Sequence, residues 1–138
     1  MPEPSEADYA RLLHFRSALR RFLHWSEEQA RDAGLTPAQH QLLLAIRGHP
    51  GPQAPTIGDV AEHLMVRHHS AVGLCLRAEH AGLIERIVDD HDRRLVRLTL
   101  TSKGRRDLDR LTEAHLEELA RLAPIVRRLA SGLTLNET

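Results

Sequence analysis

Cysteine is almost missing from this sequence. One residue, Cys75, stands among 138, which excludes an internal disulfide framework and points to a reducing, cytoplasmic setting. Aromatic residues are scarce at 3%, so a core must come from Leu, Ala, Val and Ile, which suits packed helices. No run approaches the roughly 18 apolar residues that span a bilayer. Met1–Tyr9 lacks the basic start and apolar stretch of a secretory signal. No membrane partner is expected. Net charge is missing too, with 19 Lys/Arg against 19 Asp/Glu. Taken over the whole chain, that balance argues against a nucleic-acid partner.

The distribution of charge argues the other way. Between Val66 and Arg106 there are nine Lys/Arg and five Asp/Glu. A basic segment inside a neutral chain is a footprint suited to phosphates, although a charged run is more often a solvated face. Hydrophobic residues make up 41%, enough for a core, and the length fits one domain with or without a dimerisation element.

Periodicity divides the chain. Leu12, Phe15, Leu19 and Phe22 form one helical stripe in a long first helix over residues 7–33, which Gly34 stops. Thr36-Pro37-Ala38-Gln39 is a strong helix start, with a capping threonine, a proline in the first turn and a reciprocating glutamine. Residues 48–55 carry three prolines and two glycines and must be a loop. Thr56 caps a short third helix with Ile57, Val60, Ala61 and Leu64 on one face. After a tight connection at 65–67, a fourth helix runs from about His68 to His80 with Ala71, Leu74, Cys75 and Ala78 inward, and Gly82 ends it. The period then falls to two. Residues 83–88 and 95–100 read as strands around the polar tip Asp89-Asp90-His91-Asp92-Arg93-Arg94. Thr101 or Ser102 opens a last helical region with Leu108, Leu111, Leu119, Leu122, Val126 and Leu129 in a stripe, and Pro124 is expected to kink or split it.

The order is helix, helix, two short helices joined by a tight turn, a charged hairpin and a long helix. This predicts a mainly α fold with a small β-hairpin, a winged helix-turn-helix with a helical dimerisation region. The expected parts are a dimerisation helix at 1–34, a DNA-binding domain at 35–100 with its wing at about 84–100, and C-terminal dimerisation helices at 101–138. The major groove admits one helix, and a hairpin can lay arginine along the neighbouring minor groove. No nucleophile–base arrangement, phosphate loop or metal motif is present, so catalysis is not expected and no cofactor is implied.

Leu35–Gln39, Ile57–Leu64, Val66–Val72, Glu79–Arg86, the wing Asp89–Arg94 and Leu98–Gly104 together resemble, in order and spacing, the MarR family of bacterial regulators. The resemblance implies a homodimer whose terminal helices intertwine, double-stranded DNA as partner, a pseudopalindromic operator, and repression released by a small-molecule effector. The two apolar terminal stripes independently suggest an interface. The resemblance also makes Arg94 the arginine that enters the minor groove and Asp92 the acid that steadies it. Arg93 is a phosphate contact or a solvated charge. On the recognition helix His68, His69, Ser70, Gly73 and Arg77 lie off the inward stripe and could meet phosphate or base edges; Gly73 and Leu76 stand where many members carry polar residues. His14, His24, Trp25 and His40 are implied candidates for an effector pocket, with core packing as the plainer role. Ten histidines invite a metal reading, but none has companion ligands at closed-site spacing, and no metal is expected. Cys75 lies on a buried stripe and reads as a small hydrophobe. The competing function is a winged-helix protein-interaction module that does not bind DNA.

Overall fold

A computed structural model describes residues 2–131. The elements are α1 (Glu6–Asp32), α2 (Pro37–Gly48), α3 (Ile57–Leu64), α4 (His68–His80), β1 (Ile84–Val88), β2 (Val96–Leu100) and α5 (Ser102–Ser131). They fall into two compact units. One takes its described residues from the chain up to Gln29 and from Thr112 onward; the other is Ala30–Leu111.

The second unit is a winged helix-turn-helix with its own core. Leu42, Leu43, Leu83, Ile84, Leu98 and Leu108 are fully buried, and Val60, Ala71, Cys75 and Ala78 fill the space between them. Burying a large aliphatic side chain is worth about 1.5–3 kcal/mol, against about 0.5–1.5 for a hydrogen bond, so these side chains dominate the unit's stability. Ala71, Leu74, Cys75 and Ala78, expected on the inward face of α4, are all buried. The two strands pair antiparallel, Ile84 opposite Leu100 and Val88 opposite Val96.

Local chemistry fixes the ends. Thr36 and Gln39 form the expected capping box on α2, and Thr56 forms a second on α3 with Asp59. Left-handed residues close three turns in one way. Gly34 lets Leu35 N–H donate to Ala30 O at 2.9 Å, and Gly82 lets Leu83 N–H donate to Ala78 O at 3.0 Å. Between α3 and α4 the same bond runs from Val66 N–H to Ala61 O at 3.0 Å, but Met65 (φ 57°) holds the left-handed position.

The first unit is helical. Ser26 Oγ lies 2.6 Å from His115 Nε2, and Trp25 packs on His115 with ring centroids 4.8 Å apart. Much of its apolar surface is uncovered: Leu12, Leu13, Leu19, Leu23, Leu116 and Leu119 are exposed. One expectation is corrected here. α5 is continuous through Pro124 and is not split into a long and a short helix. A single proline removes one backbone hydrogen bond, and Pro124 lies on the exposed side, where water can serve the freed carbonyl.

Candidate nucleic-acid interface

The wing is organised by two aspartates. Asp89 sits at the end of β1 and accepts hydrogen bonds from Arg97 Nε at 2.6 Å and from the backbone N–H groups of His91 (3.0 Å) and Asp92 (2.9 Å). With the Arg97 guanidinium first among the causes, these donors hold the Asp89 carboxyl at about 2, below the usual 3.8. Arg97 also donates from Nη1 to Ala54 O at 2.7 Å, and Leu98 N–H donates to Pro55 O at 2.9 Å. The hairpin is thereby tied to the loop between α2 and α3.

At the tip, Asp92 accepts from the Arg94 backbone N–H at 3.0 Å and from its Nε and Nη2, each at 3.1 Å. The guanidinium is gripped at its base while its side chain remains 90% exposed. The bonds from Arg94 lower the Asp92 carboxyl as well. Arg93 is exposed, with no side-chain partner among the described residues.

Helix α4 presents a different surface. His68, His69 and Ser70 are exposed in its first turn. The N-cap residue, Arg67, makes no side-chain cap, whereas α2 and α3 are both boxed. Uncapped N–H groups at a helix start, with exposed polar side chains around them, suit a phosphate oxygen. Arg77 is exposed one turn beyond Gly73, and its guanidinium lies close over that glycine. Val72 leans on the core, while Leu76 is exposed. Glu79 holds Arg86 at 3.1 Å, linking α4 to β1.

The four residues implied for an effector pocket fall in both units, His14, His24 and Trp25 in the helical one and His40 in the winged one. His14 is exposed. His24 is exposed and paired with Glu28 of the same helix at 2.8 Å. Trp25 belongs to the His115 cluster and borders a cleft of about 310 Å³ flanked by Arg21 and Arg121. His40 is buried in the winged unit. Burial pushes the Cys75 thiol up to about 11, which leaves it protonated and unreactive at neutral pH. Among the described residues no group of three His, Cys, Asp or Glu could hold a metal ion, and no helix is long and apolar enough to cross a membrane.

Two features escaped the sequence reading. Arg97 registered as one charge among nine and as one face of a strand, but its bonds to Asp89 and Ala54 depend on contacts 8 and 43 residues apart. The second is His49, whose Nδ1 lies 2.8 Å from His63 Nε2 and whose Nε2 lies 3.7 Å from Asp59. The Thr56-x-x-Asp59 spacing could have revealed the acid's capping role; nothing local reveals the histidine pair.

The MarR family model matches residues 33–95. The transcriptional activatory protein BadR of Rhodopseudomonas palustris is 34% identical over 84 residues, covering 60% of this chain and 48% of BadR. The chain spans about half the length of the curated relatives it matches. Among solved structures, AbsC, a MarR family transcriptional regulator from Streptomyces coelicolor, is 20% identical with a TM-score of 0.72, covering 99% of this chain and 87% of AbsC. The M. tuberculosis transcriptional regulator MosR in complex with DNA is 23% identical with a TM-score of 0.60, covering 88% of this chain and 91% of that one. Through residues 33–95, its winged helix-turn-helix segment, this chain is similar to the MarR family.

Proposed function

We propose that this chain is a DNA-binding transcriptional regulator that grips duplex DNA with α4 in the major groove and the wing in the adjacent minor groove. The observation that carries this reading is Arg94, held at its base by Asp92 and 90% exposed beyond it. A guanidinium fixed in direction by Asp92, with its Nη1 left open, is suited to the narrow, electronegative minor groove. The uncapped start of α4 with His68, His69 and Ser70, and Arg77 some two turns on, supplies phosphate and base-edge donors. Arg93 adds a backbone contact.

The DNA is read by a homodimer. In the helical unit a groove of about 440 Å³ is lined by Phe15, Leu19, Phe22, Leu119, Leu122 and Val126, and exposed leucines continue along both helices. A surface this apolar is covered by a second copy. Two recognition helices then address half-sites about 34 Å apart, which requires a pseudopalindromic operator. The regulator acts as a repressor, and an effector in the cleft beside Trp25 would release it by shifting the population of half-site spacings.

Selection of bound duplexes from a random pool, followed by sedimentation of the free protein, tests the reading. The expected result is a palindromic consensus, affinity that falls with salt, and a dimer. A monomer that enriches no duplex overturns it and leaves the protein-interaction module in its place.

A further inference from the structure

A cavity of about 320 Å³ opens within the winged unit, between the end of α2, the loop that follows it, β2 and the start of α5. Arg47 and Arg105 flank it. Both are exposed, and neither guanidinium has an ion-pair or hydrogen-bond partner among the described residues. None of the residues lining the cavity is acidic. Two carboxylates of the winged unit are engaged elsewhere, Asp89 with Arg97 at 2.6 Å and Asp59 with the Thr56 cap and His49. His49 borders the space, but both its ring nitrogens face His63 and Asp59.

The backbone adds to this bias. Leu98 donates its N–H to Pro55 O, away from β1. The period of two along a strand turns the N–H of Leu100, which also lines the cavity, to that same edge. The remaining wall is mixed, with Ile46, Pro52 and Pro55 beside Gln53 and Thr99. The space lies at the small end of metabolite-sized sites, which run from about 300 to 1,000 Å³.

We propose that this cavity is a binding site for a small dianionic metabolite, a dicarboxylate or a phosphate monoester, held between Arg47 and Arg105. The guanidinium fork matches either oxyanion in a bidentate pair. The site is separate from the cleft beside Trp25, and it stands whether or not the chain binds DNA. Its floor is the loop whose Ala54 and Pro55 carbonyls hold Arg97 and Leu98, so an occupant bears on the brace of the wing.

The test is a titration of the full chain with succinate, glycerol 3-phosphate and, as an uncharged control, succinamide, at constant ionic strength, followed by amide NMR. One or both dianions should give saturable shifts at Arg47, Gln53, Leu100 and Arg105, and succinamide none; the tighter of the two identifies the oxyanion. The double variant Arg47→Ala/Arg105→Ala, altered only at exposed positions, should bind about tenfold more weakly or worse. Three outcomes overturn the proposal: no shift with either dianion, non-saturating shifts shared with Arg67, Arg77 and Arg93, or a double variant that binds as well as the parent. A double variant that loses affinity only for duplex DNA, with neither dianion binding the parent, assigns the two arginines to the nucleic-acid surface and also overturns it.

Discussion

At the wing, Asp89 gathers three hydrogen bonds and Asp92 gathers three more. On the outward face of α4, the side chains of His68, His69 and Ser70 have no partner among the described residues. The two surfaces are separated by the rest of α4, a turn and β1, and are built to opposite rules. The wing's direction is set before any partner arrives, so little ordering entropy remains to be lost there. The face of α4 leaves its side chains to be ordered by what they meet. A fixed wing positions; an adaptable helix reads.

The comparison depends on the winged unit being closed, and the sharpest way to break it is at the start of α5. A Cβ at Gly104 would stand 2.1 Å from the backbone oxygen of Leu83. Gly104→Ala therefore forces the helix off the α4–β1 turn and should cost about 3 kcal/mol of unfolding free energy, at the upper end of overpacking effects. Denaturant unfolding measures it; a loss below about 1 kcal/mol would mean that α5 is not seated on that turn.

Next in size is the brace. Arg97→Ala removes the link from Asp89 to Ala54 and leaves a carboxylate without its guanidinium. The wing should loosen while the core holds. The expectation is accelerated amide exchange confined to residues 89–97 and DNA affinity lower by about tenfold, the scale of one charged contact. Loosening across α2 and α3 as well would show that the brace supports the whole unit.

How far these regions were legible in the sequence follows the same division. Helix ends could be read because their causes are local: Thr36 with Gln39, Gly34 and Gly82 act within a few residues. The hairpin could be read because Val96, Leu98 and Leu100 alternate with Arg97 and Thr99. The Asp89–Arg97–Ala54 strut could not, since its partners meet only after the chain folds. The expected split at Pro124 does not occur because the rule that proline breaks helices weighs one lost bond against nothing, while in α5 intact turns on both sides outweigh it. The α4 residues were legible as outward-facing from their period, but period says nothing of what they contact.

A smaller effect sharpens the helix side. Gly73 sits inside α4, and a Cβ there would meet only the flexible Arg77 guanidinium, at 3.2 Å. Gly73→Ala should raise stability by about 0.5–1 kcal/mol through helix propensity, with base preference altered and salt dependence unchanged. Thermal unfolding with duplex selection tests both halves; a destabilised variant would show that the guanidinium cannot move aside.

The smallest effect is in pH. Asp89 is held at about 2 against its usual 3.8, so the fold favours the ionised form. Its contribution is complete above the usual value and is lost as pH falls from 3.8 through about 2. Exchange protection of the amides at residues 89–97, corrected for the intrinsic pH dependence of exchange, should fall across that window in the parent and stay flat in Asp89→Asn.

Arg94 provides the most direct test of DNA binding through the wing. Binding of a selected duplex by the parent and by Arg94→Ala is measured in parallel across a salt series. The parent's affinity should fall linearly on a log–log plot, and the variant should bind about tenfold more weakly with a slope shallower by about one. No salt-dependent binding by the parent, or a variant with the parent's affinity and slope, would contradict it.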